Sequence, residues 1–148
     1  MKYSIFYFKD ISLIFNVDKT AEQYEDVKLF GNGDVGLLDT INKNFPKIWS
    51  LYKEMKALDW DEFEFDFSQC LVDFEKAPED VTEMMVKTIM WQWESDSVAA
   101  QCPAVLIAPY EPCTELWEAE LRINDNESVH ANAYSEIVRM GFPVPKEV

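Results

Sequence analysis

The 148-residue chain has one histidine, four glycines, three cysteines and 13 basic residues against 28 acidic ones. With a formal charge of −15 and no basic cluster, it has nothing to neutralise a phosphate backbone, so nucleic acid is not an expected partner. Cys70, Cys102 and Cys113 show no metal-knuckle spacing, and their odd number suits a reducing compartment better than a disulfide framework. They are expected to be three buried thiols. Long apolar runs are lacking too. Ile5 to Phe8 is closed at once by Lys9 and Asp10. A spanning helix needs about twenty apolar residues and an export signal needs a longer run with a small-residue cleavage site, so no membrane is expected and the cytoplasm is the simplest location. What is plentiful is apolar surface. Hydrophobic residues make up 48% of the chain, too many for a disordered acidic tail. The length suits one domain with a real core.

Residues 1–17 read as irregular or β-rich, and residues 18–30 as polar with a weak helical tendency. Together they form an N-terminal extension, residues 1–30. Gly31, Gly33 and Gly36 punctuate a turn-rich break. The spacing of Leu37, Leu38, Ile41, Phe45, Ile48, Leu51, Tyr52 and Met55 predicts a helix, with Pro46 interrupting it or opening a new first turn. Residues 60–67 alternate apolar and acidic side chains and read as an extended or loop segment ending near Ser68. Two long helices follow. The first starts at Ala77-Pro78-Glu79-Asp80, with proline and acids in its first turn, and runs to Cys102, where Pro103 ends it. Residues 104–112 form a connection containing Pro109 and Pro112. Thr114 is the expected N-cap of the second helix, which carries Leu116, Glu120, Ile123, Glu127, His130, Tyr134 and Ile137 on one stripe. Gly141 and Pro143 close it. The expectation is an all-α chain with helices long enough for a bundle.

Residues 31–36 match G-x-G-x-x-G, but a dinucleotide site needs a strand before it and a βαβ unit around it. Lys28-Leu29-Phe30 is a poor strand, so these glycines are expected to serve a tight connection. Glu127-Ser128-Val129-His130 is more informative. Positions i and i+3 share a helix face, and a carboxylate and an imidazole there can hold one metal ion or bridge a pair. Glu120, Glu127 and His130 lie on the apolar stripe, where unpaired carboxylates are costly. Asp96 sits mid-helix on the face of Ile89, Trp93 and Ala100, a poor place for aspartate. A metal ion between the two helices accounts for all three residues. Tyr134, four residues past His130, stands about 6 Å further along the same face, beside such an ion without being forced to bind it.

These segments resemble the small (beta) subunit of class I ribonucleotide reductase, of a type seen in bacteriophages. The resemblance is carried by Trp60-Asp61-Glu62-Phe63-Glu64-Phe65-Asp66-Phe67-Ser68, by Trp93-Glu94-Ser95-Asp96-Ser97-Val98-Ala99, and by residues 125–136 around Glu127, His130 and Tyr134. It runs from about Leu29 to Phe142. It implies a ferritin-like helical bundle holding two iron ions, or manganese in some members. Asp96, Glu127 and His130 would be metal ligands, with Glu127 bridging. Trp60 would relay an electron, and Tyr134 would store a tyrosyl radical. The large (alpha) subunit would then use that radical to reduce ribonucleotides.

The family also carries a second Glu-x-x-His helix, a further carboxylate and a docking tail. This sequence stops at Val148 without a second histidine, so residues 31–148 correspond to the N-terminal half of the di-metal domain. A second polypeptide or a missing C-terminal half is therefore expected to complete the site, ahead of a dimer whose two copies share one. A half bundle should also leave a broad apolar face exposed. The alternatives are another ferritin-like di-metal oxidase or iron-binding protein with a site shared across a dimer, and a metal-free helical fragment.

Overall fold

A computed structural model describes residues 18–30, 36–107, 110 and 113–148. The expectations for residues 1–17 and for most of the glycine motif, residues 31–35, lie outside them. Among the described residues every regular element is a helix, so the fold is all-α. In chain order these are α1 (Ala21–Glu25), α2 (Pro46–Ala57), a 3-10 turn (Glu62–Glu64), α3 (Cys70–Lys76), α4 (Glu79–Ala99), α5 (Cys102–Leu106), α6 (Thr114–Gly141) and a last 3-10 turn (Pro145–Glu147). None is long and apolar enough to cross a membrane.

The 28-residue α6 is the central element. α4 and α2 pack against it most extensively, and α3, α5 and both 3-10 turns lie on its remaining sides. Its N-terminus is fastened by buried polar groups. Cys113, not Thr114, is the N-cap, and its sulfur accepts a hydrogen bond from the Leu116 amide at 3.3 Å. Thr114 is the first helical residue, and its hydroxyl accepts from the Asp39 amide at 2.8 Å. The Glu115 carboxylate, 2% exposed, accepts from the Phe45 amide at 3.2 Å. Two chain amides at the entrance to α2 are thus satisfied by the start of α6, 70 or more residues away.

Three helix boundaries differ from the sequence expectation. The expected helix from Leu37 begins only at Pro46, which occupies its first turn. The Asp39 carboxylate accepts from the Ile41 and Asn42 amides at 3.2 and 3.0 Å, a local turn that captures the amides a helix would use. Pro103 does not simply end the long helix. α4 stops at Ala99, and Pro103 sits in the first turn of α5. α3 occupies residues that the sequence pattern left without a helix. Seven residues are too few for periodicity to stand out, and tertiary contact with α6 supplies what propensity does not.

The core is smaller than the length suggests. Cys113, Ala119 and Ala133 are buried with Thr114 and Glu115. The functional stripe of α6 is half-buried, and Ile123 is 37% exposed. The expectation of three buried thiols holds for Cys113 alone. Cys70 and Cys102 are half-buried, and all three are free. Burial pushes the Cys113 thiol up to about 11, so it stays protonated at neutral pH.

Candidate metal centre

The side chains that converge come from α4 and α6. Their antiparallel packing sets Asp96, near the end of α4, against the middle of α6, where Glu127 and His130 are one turn apart. His130 Nδ1 lies 3.3 Å from Glu127 Oε2 and 3.7 Å from Asp96 Oδ2. One donor atom from each residue falls within 4.8 Å of the others, an arrangement able to hold a metal ion. Two ligands bound at about 2.1 Å to one ion stand roughly 3–4 Å apart, and the two separations from His130 fall in that range. Oxygen and imidazole donors suit iron or manganese. The side chains are 19% (Asp96), 25% (Glu127) and 34% (His130) exposed, so the cluster is partly buried.

The electrostatics follow from that partial burial. Desolvation, and then the neighbouring Glu127 carboxylate, raise the Asp96 pKa from its ordinary value, and His130 partly offsets them. A nearby cation would relieve the strain between the two carboxylates. Tyr134, one turn past His130, has its phenol pushed up by burial first and then by the charges of Asp96 and Glu127. The phenol therefore feels both carboxylates. A cleft of about 230 Å³ between α4, α6 and the C-terminal turn is lined by Tyr134, Met90, Trp93, Val138 and Pro145.

Trp60 comes to the same place from the loop between α2 and α3. Its ring stacks on His130, with centroids 5.4 Å apart and planes 22° from parallel. Phe65 meets Trp60 edge-on at 5.2 Å. Of the residues singled out in the sequence, Trp60, Asp96, Glu127 and His130 gather in one place, with Tyr134 one turn further along α6. Glu120, on the same stripe, is not part of the cluster.

The pairings that tie the Trp60 loop to α6 carried no sequence signal. Arg122 pairs with Asp59 and, at 2.6 Å, with Asp125. The Asn132 amide donates to Glu62 Oε1 at 3.2 Å, across 70 residues of chain. No protein-family model matches the chain, and no curated protein matches it, so the functional reading rests on this geometry and on the sequence pattern.

Proposed function

We propose that the chain is the N-terminal part of a small-subunit component of class I ribonucleotide reductase, with a ferritin-like bundle completed by a second polypeptide or a C-terminal half. The single observation that carries this reading is the convergence of Asp96, Glu127 and His130 within 4.8 Å, with Trp60 stacked on the histidine and Tyr134 one turn away on the same helix.

Asp96, Glu127 and His130 would hold the chain's share of two iron ions, or manganese. When bound, the metal pair supplies the reduction of dioxygen and the oxidising power drawn from it. The protein's part is placement. α4 and α6 fix three donors before any ion arrives. Trp60 offers an electron route through the face of His130. Tyr134 would hold the radical, and the charges of the Asp96 and Glu127 carboxylates act on its phenol. The large subunit would draw on Tyr134 to start reduction of a ribonucleotide.

The test uses the chain together with its complementing half. Asp96→Ala or His130→Ala is expected to abolish stoichiometric iron binding, and unchanged iron content would remove their ligand role. Tyr134→Phe is expected to keep the metal while losing the radical signal in electron paramagnetic resonance, and survival of that signal would remove the radical assignment.

A second reading is a di-metal oxidase or iron-binding protein with its site shared across a dimer. It is favoured by the partial exposure of all three side chains, which a second copy with its own Asp96, Glu127 and His130 can cover. A stoichiometric di-iron centre in the pure homodimer would select it.

A further inference from the structure

The loop that carries Trp60 is tied to α6 on both sides of His130. Asp59, immediately before the indole, pairs with Arg122, eight residues before the histidine. Glu62, two residues after the indole, accepts from Asn132, two residues after the histidine. Between these ties the loop is stiffened by its own caps. The Asp61 carboxylate accepts from the Phe63 amide at 2.9 Å, and Glu64 reaches back to the Asp61 amide at 3.2 Å, the reciprocal pattern of a capping box. Phe65 closes against the indole edge.

We propose that Glu62 and Asn132, together with Asp59 and Arg122, are positioning residues for the metal centre. They clamp the indole flat on His130, and the indole fixes the plane of the imidazole so that Nδ1 points at Glu127 and Asp96. An imidazole free to rotate about its Cβ–Cγ bond sweeps Nδ1 away from the carboxylates. One held between an aromatic face and its own helix does not. The clamp therefore sets the order of the ligand before the metal binds, the role that outer contacts to a ligating histidine commonly serve. This rests on the metal-centre reading above for its consequence, but not for its geometry.

The single histidine gives a direct test. In the metal-free chain, stacking on Trp60 places the His130 ring protons in the shielding zone of the indole. Their proton resonances are expected upfield of free imidazole, and Trp60→Leu should return them. Glu62→Ala, which removes the acceptor for Asn132, should return them part of the way, whereas Glu62→Gln, which keeps a carbonyl oxygen there, should leave them shielded. Resonances that are the same in Glu62→Ala and in the parent chain would overturn the clamp. The second readout is titration with Co²⁺. Glu62→Ala is expected to bind about fivefold more weakly and Glu62→Gln to bind like the parent, since an exposed hydrogen bond is worth about 1 kcal/mol. Equal affinity in all three would overturn the coupling of clamp to metal. The titration uses the chain together with its complementing half, and failure of that parent complex to bind Co²⁺ would overturn the metal reading, while the ring-proton shifts of the chain alone still decide the clamp.

Discussion

At the scale of single residues, Asp96 carries a cost that His130 offsets only in part. Its carboxylate is 19% exposed and stands beside Glu127. Because its pKa is raised on folding, the folded chain binds the proton more tightly than the unfolded chain does. Stability from this group is therefore fully present below the ordinary aspartate range near 4 and is lost as pH rises through the folded value. At neutral pH the metal-free chain holds a destabilising carboxylate. Asp96→Asn is expected to stabilise the metal-free protein by roughly 0.5–1 kcal/mol in urea unfolding while abolishing metal binding. A loss of stability in that variant would show that Asp96 is a structural partner of His130 and not a residue kept for a ligand. This site was legible in the sequence because its main rules are local. Glu127 and His130 are three apart on one helix, and Asp96 is a polar residue at an apolar position of another. Asp59, Glu62, Arg122 and Asn132 were not legible, since the pairings Asp59–Arg122 and Glu62–Asn132 exist only once the loop docks on α6, and helix spacing says nothing about partners 70 residues away.

At the scale of elements, the packing of α3 on α6 turns on a missing side chain. Gly141 is the last residue of α6, and a Cβ built there would lie 2.8 Å from two ring carbons of Phe74 in α3. Phe74 itself packs on Phe142, with ring centroids 4.8 Å apart, so its ring cannot swing clear at no cost. Alanine in place of glycine gains about 1 kcal/mol of helix propensity, whereas forcing a packed aromatic aside costs about 1–3 kcal/mol. The clash is the larger effect. Gly141→Ala is expected to lower stability by about 1–2 kcal/mol, measured by chemical unfolding, and a stabilised variant would mean that the α3–α6 contact is loose. The same contact explains why α3 escaped the sequence reading. The helices α4 and α6 carry enough turns for apolar spacing to reveal them, and both were placed to within a few residues. Short α3 is held by Phe74 against the end of α6, a contact with no trace in local composition. The start of α2 was misjudged for a related reason: Leu37, Leu38 and Ile41 keep helical spacing, but the Asp39 turn holds the amides.

At the scale of the whole molecule, two long-range properties oppose each other. One is apolar surface left exposed among the described residues. Along α4, Val81, Met84, Trp91 and Val98 follow one another at helical spacing and are 37%, 61%, 68% and 58% exposed; Val105 and Leu106 of α5 are 70% and 63% exposed. Exposed apolar side chains repeated along one helix face are candidates for contact. The other property is the charge of −15, which makes identical copies repel one another. Salt separates their effects. Added salt shortens the screening length from about 30 Å at 0.01 M to about 8 Å at 0.15 M, weakening repulsion between copies while leaving apolar attraction in place. A basic complementing chain would respond in the opposite sense, because its attraction to this acidic one is itself screened. The isolated chain is therefore expected to associate with rising concentration in sedimentation velocity, and more strongly at 0.15 M than at 0.01 M salt. Met84→Glu combined with Trp91→Glu should shift it towards monomer at both salt levels, because it breaks the stripe and adds charge at once. A parent chain that sediments as a monomer across the whole concentration range would mean that the α4 stripe has no affinity for its own kind, and would leave a chemically distinct partner as its occupant.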